Sequence, residues 1–323
     1  MRMTTLTPVP KGRPFRFAVQ AHRATSAAEW RDLSRKVEDL GFSTLFTADH
    51  YLDRGPAAQH LAPITAMATT AAVTETLRIG CRVFCIDYHV PAVLAKEAAT
   101  LDLLSDGRLE FGIGAGWSEQ EYRSMGLTFG EARRRVDKLE EVIALLKAYW
   151  SGEELDCHGD YINVSGYAGL PLPVQRPYPR LMIGGGRKRV LSIAAREADI
   201  VSLSNVAFTP VNEAGLTPQQ EVVRRVGFAR EAAGDRFPEL DVESSPYFTA
   251  VTDKPDDAVA RVAANVRVPP DGLIDHPNVL IGSEDEIVER LESRRETIGV
   301  NYISIQQSEI DSFAAIAARL SGQ

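Results

Sequence analysis

The chain has 323 residues, 44% of them hydrophobic and 25% charged, which is the composition of a globular protein with a core of ordinary size. Its formal net charge of −8 argues against nucleic acid and against an anionic membrane surface as partners, because proteins that bind these carry basic stripes. The start of the chain has no apolar signal-peptide segment, and no apolar run approaches the length of a membrane span. We therefore expect a cytoplasmic protein with a flexible arm over residues 1–14 and a single domain over 15–323.

Strand-like and helix-like segments alternate from residue 15 to the end of the chain. The clearest helix covers 130–150, where apolar side chains recur every three to four residues. In chain order, the sequence predicts strands at 15–20, 42–48, 77–86, 108–116, 180–186, 198–203, 244–251, 278–283 and 301–307, and helices at 26–40, 60–74, 91–104, 130–150, up to Glu197, after Pro255, and at 285–298 and 309–320.

About eight strand–helix units without a break in composition fit two architectures, the (β/α)8 TIM barrel and an open doubly wound sheet. We favour the barrel, because one closed sheet accommodates all the units in a single fold. The connections at 151–179, 204–218 and 266–278 are longer than usual, and such excursions on a barrel are typically lids and binding loops. The predicted fold is an α/β TIM barrel with insertion loops that form a lid.

The carboxyl ends of the strands select the candidate site residues, because a parallel barrel carries its active site there. Strand two ends in Asp49-His50, and His50 could transfer a proton near neutral pH or simply hydrogen-bond at the strand end. Strand one ends near His22, which is either a second site residue or a packed one. Three aromatic residues could wall a pocket or belong to the core: Tyr51, Tyr88 and Trp117.

Two glycine-rich segments raise the question of a phosphate site. In GIGAGW the place of the third glycine of a dinucleotide fingerprint holds Trp117, so that pattern fails. IGGGRKR places Gly184, Gly185 and Gly186 before a helix, where backbone N–H groups and the helix dipole favour an anion. A tight strand-to-helix turn is the plainer alternative, but barrels often bind phosphate on a late loop, and we favour the phosphate site.

The cysteines and acidic residues indicate no metal centre. Cys81, Cys85 and Cys157 lack the spacing of a zinc site or a disulfide framework, and the first two lie in an apolar run that predicts buried thiols. No carboxylate-dyad spacing and no GxSxG nucleophile elbow occurs. We expect no bound metal.

Several of these stretches together resemble the bacterial luciferase-like flavin and deazaflavin oxidoreductases. The matching stretches are LFTADH, LRIGCRVFCIDYHVPAVLAKEAATLDLLSDGRLEFGIGAGWSEQEY, EEVIALLKAYWSGE and PRLMIGGGRKRVLSIAAREADIVSL, with weaker likeness in IGSEDEIVERLESRRETIGVNYISI. The resemblance covers most of residues 15–205. Within the superfamily the chain is most similar to the branch that uses the deazaflavin coenzyme F420.

The resemblance implies a (β/α)8 barrel with an insertion lid and a tricyclic cofactor ring over the barrel mouth. A non-prolyl cis peptide in a strand-three bulge, at Arg82-Val83 here, would press against the ring, and His50 would lie near its reactive edge beside Asp49. The cofactor phosphate would bind Gly184, Gly185 and Gly186. Trp117 stands where sugar-phosphate dehydrogenases of the superfamily carry a catalytic glutamate, which argues against a glucose-6-phosphate-type substrate; Glu119 and Glu121 are close by but not at the matched position.

Three functions remain after this comparison. The leading hypothesis is an F420-dependent oxidoreductase of a small organic substrate, with His50 moving the proton and His22, Trp117 and Tyr88 lining the substrate pocket. The second is a monooxygenase that uses reduced FMN and O2 on the same fold, and the third is a non-catalytic flavin- or deazaflavin-binding protein. A homodimer is the expected assembly, and a flavin or F420 reductase is the expected enzymatic partner. The substrate and the direction of hydride transfer stay open.

Overall fold

A computed structural model of the chain describes residues 13–52 and 59–323, so most of the predicted arm over residues 1–14 lies outside the described residues. Within them, eight strands form a closed barrel in which strands that follow each other in the chain are neighbours in space. The predicted TIM barrel is therefore confirmed. Its strands, from first to eighth, are Arg16–Gln20, Thr44–Thr47, Arg78–Cys85, Leu109–Gly114, Arg180–Gly185, Ile200–Leu203, Asp241–Ser244 and Val300–Gln306.

Helices alternate with these strands, and the connections between them contain short additional sheets. Three two-stranded sheets lie outside the barrel in the described residues: Arg23–Ala24 with Gln59–His60, Leu155–His158 with Asn163–Tyr167, and Phe248–Val251 with Val279–Gly282. The ten α-helices of the same part of the chain are Ala27–Asp39, Pro63–Val73, Pro91–Leu104, Glu119–Ser124, Ala132–Ser151, Lys188–Glu197, Pro218–Ala233, Pro255–Val266, Glu284–Ile298 and Ile310–Leu320.

One sequence prediction on element extent is wrong, and one helix was missed. The segment predicted as one strand over 244–251 is divided: Asp241–Ser244 is the seventh barrel strand, and Phe248–Val251 pairs in parallel with Val279–Gly282 outside the barrel. The helix Pro218–Ala233 was missed, because few of its apolar side chains are buried and its period is weak. The sequence does carry a signal for the start of this helix, because Thr217 and Gln220 form a capping box and Pro218 occupies the first turn.

The chain divides into two compact units. One comprises Gln20–Asp39 and Thr44–Gly184, and its core includes Trp150, whose indole N–H donates to the buried carbonyl of Ala95 at 3.0 Å. The other comprises the start of the chain up to Val19, Leu40–Ser43 and Gly185–Gln323. Its apolar core includes a cluster around the accessory sheet, built from Val259, Val262, Leu273, Val279 and Ile281.

Among the described residues, no helix combines the length and the apolar character that crossing a membrane requires. In the second unit Arg13, near the end of the predicted arm, forms an ion pair with Asp241 at 3.0 Å. Arg16 contacts the same carboxylate at 3.0 Å, so a buried aspartate of the seventh barrel strand binds two cations from the first strand and the residues before it.

Candidate active site

The end of the second barrel strand and a short helix after the fourth strand meet at His50. Its Nδ1 atom lies 3.1 Å from Oε1 and 3.0 Å from Oε2 of Glu121. Glu121 comes from the helix Glu119–Ser124, where its residue is only 4% exposed. The histidine side chain is 38% exposed, so one face of the ring contacts a buried carboxylate while part of the ring is open to solvent.

Further hydrogen bonds fix the Glu121 carboxylate. Oε1 accepts from the backbone N–H groups of Tyr51 at 3.0 Å and Leu52 at 3.4 Å, and Oε2 accepts from the hydroxyl of Tyr88 at 3.3 Å. Burial alone would raise the pKa of Glu121, but the hydrogen bonds and the neighbouring His50 more than offset it, so the pKa lies below its ordinary value of 4.5. The carboxylate is therefore ionised at neutral pH beside the histidine.

Trp117 and Tyr88 both belong to this site. The indole of Trp117 meets the His50 ring edge to face at 5.9 Å, although the residue is 72% exposed. Tyr88 packs against Tyr51 at 5.6 Å and Tyr122 at 5.2 Å. The sequence placed these aromatic residues in a pocket, and the structure brings two of the predicted substrate-pocket residues, Trp117 and Tyr88, to the His50–Glu121 pair.

Asp49 is tied to the end of the third strand rather than to His50. Its Oδ2 atom accepts from the backbone N–H of Cys85 and from Nε2 of His89, each at 2.9 Å. Oδ1 is buried and has no hydrogen-bond partner within residues 13–52 and 59–323. His89 in turn packs edge-on against Phe84 at 5.2 Å. Asp49 therefore offers one unused acceptor in the interior, where such an atom is costly.

The third strand bulges next to these residues. Its pairing with the fourth strand shifts register between Cys81 and Phe84, and the Arg82-Val83 peptide within the shift is cis, as the family resemblance implies. A Cβ atom on Gly112 would collide with the Cys81 carbonyl oxygen, and one on Gly114 would lie 2.9 Å from the Val83 side chain. The alternating glycines of GIGAG thus make room for the bulge.

A second polar network lies behind the bulge. The hydroxyl of Tyr122 donates to Asp87 at 2.7 Å and lies 3.1 Å from Sγ of Cys85, and Lys138 binds the same aspartate at 2.6 Å. Burial raises the pKa of Cys85 to about 11, so the thiol stays protonated. Gly116 has a positive φ of 75°, and a side chain there would overlap the Tyr122 hydroxyl. These contacts hold the short helix of Glu121 in place.

The remaining predicted ring and pocket residues lie at the first and third strands. Nη1 of Arg82 donates to the side-chain oxygen of Gln20 at 3.2 Å. His22 packs edge-on against His60, with ring centroids 4.7 Å apart. No contact in this part of the structure tests the roles of Arg82, Val83 or His22 towards a ligand, and these roles stay predictions.

The predicted phosphate loop follows the fifth barrel strand. The helix Lys188–Glu197 starts directly after it, and no side chain caps its N-terminus. A Cβ atom on Gly186 would lie 3.0 Å from Nη1 of Arg225, whose guanidinium is held by Glu221 at 2.8 Å and by the carbonyl of Ser204 at 2.7 Å. Free backbone donors beside a cation suit a phosphate, and phosphate binding at Gly184, Gly185 and Gly186 stays a prediction.

Sequence reasoning missed the role of Glu121. It set the residue aside because Trp117, four positions earlier, occupies the place of the glutamate known from relatives. The available signal was the short run SEQEY directly after a glycine-rich strand end, where a helix N-terminal region could return a carboxylate to the neighbouring strand. The structure makes Glu121, and not Glu119, the buried acid: Glu119 is exposed and pairs with Arg123 at 2.7 Å.

Comparison with known proteins shows which family the sequence resembles. A family model described as luciferase-like monooxygenase matches residues 13–277. An FMNH2-dependent dimethylsulfone monooxygenase of Pseudomonas putida is 30% identical over 174 residues, which cover 52% of this chain and 46% of that protein. An F420-dependent glucose-6-phosphate dehydrogenase of Nakamurella multipartita is 29% identical over 233 residues, or 71% of this chain and 66% of that protein.

A solved structure with the same fold is the coenzyme F420-dependent tetrahydromethanopterin reductase of Methanopyrus kandleri. It matches with a TM-score of 0.75 over 95% of this chain and 99% of that chain, at 17% identity, a level that shows the fold alone. The chain spans about half the length of the dimethylsulfone monooxygenase it matches. The sequence relatives include users of both cofactors, FMNH2 and F420.

Proposed function

Because the chain belongs to the luciferase-like monooxygenase family, we propose that it is an oxidoreductase that transfers a hydride between coenzyme F420 and a small organic substrate. The observation that carries the proposal is the contact of His50 with the buried carboxylate of Glu121 at 3.0 Å. A partly exposed histidine with an anion behind it can give up or take a proton in step with hydride transfer. Reduction of an activated double bond and oxidation of an alcohol both need such a proton.

The residues of this chain fit a phosphate-bearing cofactor. The uncapped start of the helix Lys188–Glu197 and the close approach of the Arg225 guanidinium to Gly186, 3.0 Å from where a Cβ atom would lie, are features of an anion cradle. Oδ1 of Asp49 is buried without a hydrogen-bond partner within 3.5 Å in the described residues, although burial and interaction with this carboxylate raise the pKa of the Tyr51 hydroxyl. A donor on the cofactor could bond this oxygen at a shorter distance. In this proposal Gly184–Gly186 hold the phosphate, and Asp49, Arg82 and Val83 contact the ring.

The choice of F420 over FMN rests on charge. Arg187 and Lys188 follow the glycines directly and are exposed, with Lys188 3.5 Å from the exposed carboxylate of Glu231. F420 differs from FMN by a long acidic lactyl-glutamate tail. Exposed cations beside a phosphate loop favour the more acidic cofactor. When bound, the deazaflavin supplies the hydride acceptor or donor, and the protein's residues orient it, exclude water and move the proton.

The proposal is tested by turnover of F420 with three probe pairs: oxidised F420 with isopropanol or glucose 6-phosphate, and reduced F420 with cyclohexenone. We expect turnover with at least one pair, followed by the absorbance of the deazaflavin. His50→Ala should lower kcat for that pair by about 10²- to 10⁴-fold, the usual contribution of a general acid or base. Arg319→Ala is the control, because that side chain is 53% exposed and pairs with the exposed Asp285 at 2.6 Å, so the substitution should leave kcat unchanged.

Turnover that is equal in wild type and His50→Ala would refute the proton role of His50. Oxygen consumption with reduced FMN, together with inactivity of all three F420 pairs, would instead support the two-component monooxygenase, which the Pseudomonas putida relative favours. Binding of either cofactor with no turnover of any kind would support the non-catalytic binding protein. The expected homodimer, cytoplasmic location and reductase partner stay predictions.

A further inference from the structure

The carboxylate of Glu121 presents only acceptors to His50. An ionised carboxylate has no proton to donate, and the hydrogen bonds from Tyr51, Leu52 and Tyr88 keep it ionised by lowering its pKa. Nδ1 of His50 lies 3.0 Å from Oε2 and 3.1 Å from Oε1. For a bond to form at these distances, Nδ1 must carry the proton.

Three hydrogen bonds besides the contact with His50 hold the Glu121 carboxylate in position. Two backbone N–H groups, of Tyr51 and Leu52, point at Oε1, and the Tyr88 hydroxyl points at Oε2. Glu121 therefore cannot swing away from His50 without leaving these part-buried donors without their acceptor. The network holds the imidazole in one orientation as well as in one protonation pattern.

The other groups around His50 do not compete for Nδ1. Asp49 precedes it in the chain, but in the described residues no hydrogen bond joins either Asp49 oxygen to His50, and Oδ2 accepts from Cys85 and His89. The indole of Trp117 is uncharged and meets the ring edge to face. Tyr88 donates to Glu121, and burial raises its pKa, so it stays a neutral donor.

We propose that Glu121 is a positioning residue that fixes neutral His50 as the Nδ1–H tautomer, so that Nε2 is the atom that exchanges a proton with the substrate. The inference rests on the proposed function for its chemistry, although the tautomer itself does not depend on the cofactor. When Nε2 takes a proton from the substrate, the imidazolium carries N–H on both nitrogens and Glu121 stays ionised. In the reverse direction Nε2–H donates, and the Nδ1–H bond to Glu121 is kept throughout.

Glu121→Gln is the informative variant, because it changes the hydrogen-bond pattern with little change in shape. The backbone donors of Tyr51 and Leu52 keep the amide oxygen at the Oε1 position, which leaves the amide NH2 beside Nδ1. Nδ1 then faces an amide N–H at the Oε2 position and only a neutral amide oxygen at the Oε1 position, in place of an ionised carboxylate. The equilibrium therefore shifts from the Nδ1–H tautomer of His50 towards the Nε2–H tautomer. In serine proteases the equivalent exchange of the orienting carboxylate for an amide lowers kcat about 10⁴-fold through the wrong tautomer.

The direct measurement is the two-bond ¹H–¹⁵N correlation spectrum of protein labelled with ¹⁵N-histidine, without cofactor, at a pH well above about 6.5, where an ordinary histidine is neutral. The His50 signals are assigned by their loss in His50→Gln. We expect a protonated Nδ1 and an unprotonated Nε2 in wild type, and a larger fraction of the Nε2–H tautomer in Glu121→Gln. Glu119→Gln is the matched control on the same helix, because Glu119 is exposed and pairs with Arg123, and it should leave the spectrum unchanged.

The kinetic counterpart is a double-mutant cycle with whichever F420 probe pair the wild type turns over. Glu121→Gln should lower kcat by about 10²- to 10⁴-fold with little change in KM, and should have no further effect in the His50→Ala background. Additive losses from the two substitutions would overturn the role through His50. A Glu121→Gln variant that changes only KM and leaves kcat unchanged would also overturn this role.

The outcomes separate this inference from the proposed function. A wild-type spectrum with the Nε2–H tautomer at His50 overturns the inference even if Glu121→Gln fails to fold, and circular dichroism identifies a folding failure. If the spectra behave as expected but no F420 pair is turned over, the proposed function fails while the Glu121–His50 geometry stands. An unchanged tautomer in a folded Glu121→Gln variant also overturns the inference.

Discussion

Single buried polar residues determine most of the local geometry described above. Four groups near the ends of two neighbouring strands hydrogen-bond to Glu121, and two donors bond to Oδ2 of Asp49, whose Oδ1 has no partner within 3.5 Å in the described structure. His276 is a third example, in the loop before Val279–Gly282. Its Nε2 donates to the Ala207 carbonyl at 3.2 Å, its Nδ1 accepts from the backbone of Asn278 at 3.1 Å, and its ring stacks on Phe208 at 4.2 Å.

Stability should depend on pH through His276. Burial lowers its pKa below the ordinary 6.5, and the neighbouring charge of Arg294 lowers it further, against the bond to Ala207. Below pH 6.5 the unfolded chain binds a proton at His276 more readily than the folded chain does, because the pKa is lower in the folded state. The contribution of His276 to stability is therefore complete above pH 6.5 and is lost as pH falls towards the lowered pKa. We expect the free energy of unfolding in urea to fall over this range.

Two histidine variants isolate this effect. His276→Gln should flatten the slope of unfolding free energy against pH just below 6.5, because the titrating group is gone. His158→Gln removes an exposed imidazole and should keep most of the slope. A slope that is the same in wild type and His276→Gln would show that other groups carry the acid dependence.

Among single residues, the sequence identified part of the candidate site but not the carboxylate of Glu121 that contacts His50. His50, Trp117 and Tyr88 were found because a barrel collects polar and aromatic side chains at strand ends. Glu121 was set aside because its contact with His50 depends on a six-residue helix whose direction no local pattern encodes. The cis peptide at Arg82-Val83 came only from family resemblance, since no residue preference marks a non-prolyl cis bond.

Among the secondary-structure elements, the hairpin Leu155–His158 with Asn163–Tyr167 lies in the long connection predicted as a lid. Its turn is fastened by one side chain from the helix Ala132–Ser151. Glu141 Oε1 accepts from the backbone of Asp160 at 3.0 Å, and Oε2 accepts from Tyr161 at 3.0 Å and Ile162 at 2.9 Å. The carboxylate therefore accepts hydrogen bonds from three backbone N–H groups of the turn, as a capping side chain does at the N-terminus of a helix.

Glu141→Ala should release the hairpin without unfolding the barrel. Three backbone N–H groups lose their acceptor, so amide hydrogen exchange over residues 155–167 should accelerate while the barrel strands keep their protection. Glu141→Gln retains one acceptor oxygen and should give an intermediate rate. Unchanged exchange in Glu141→Ala would show that strand pairing alone holds the hairpin.

At the scale of the whole molecule, the barrel was predictable because eight alternating units leave few topologies that bury every apolar strand. The part that could not be predicted is the seventh strand. SSPYFTAV is the more β-prone segment, yet the shorter Asp241–Ser244 enters the barrel, where Val242 is buried and Asp241 receives Arg16. Local preference identifies a strand, but the closure of the barrel decides which strand it uses.

The same family fold serves both FMNH2-dependent and F420-dependent relatives, so cofactor identity is the central claim to test. The most direct measurement is an equilibrium titration of the full chain with F420 and with FMN, side by side, under identical salt. We predict that F420 binds at least about tenfold more tightly, equivalent to about 1.4 kcal/mol, and that added salt narrows the difference because the acidic tail is screened. Tight FMN binding with no measurable affinity for F420 would contradict the account.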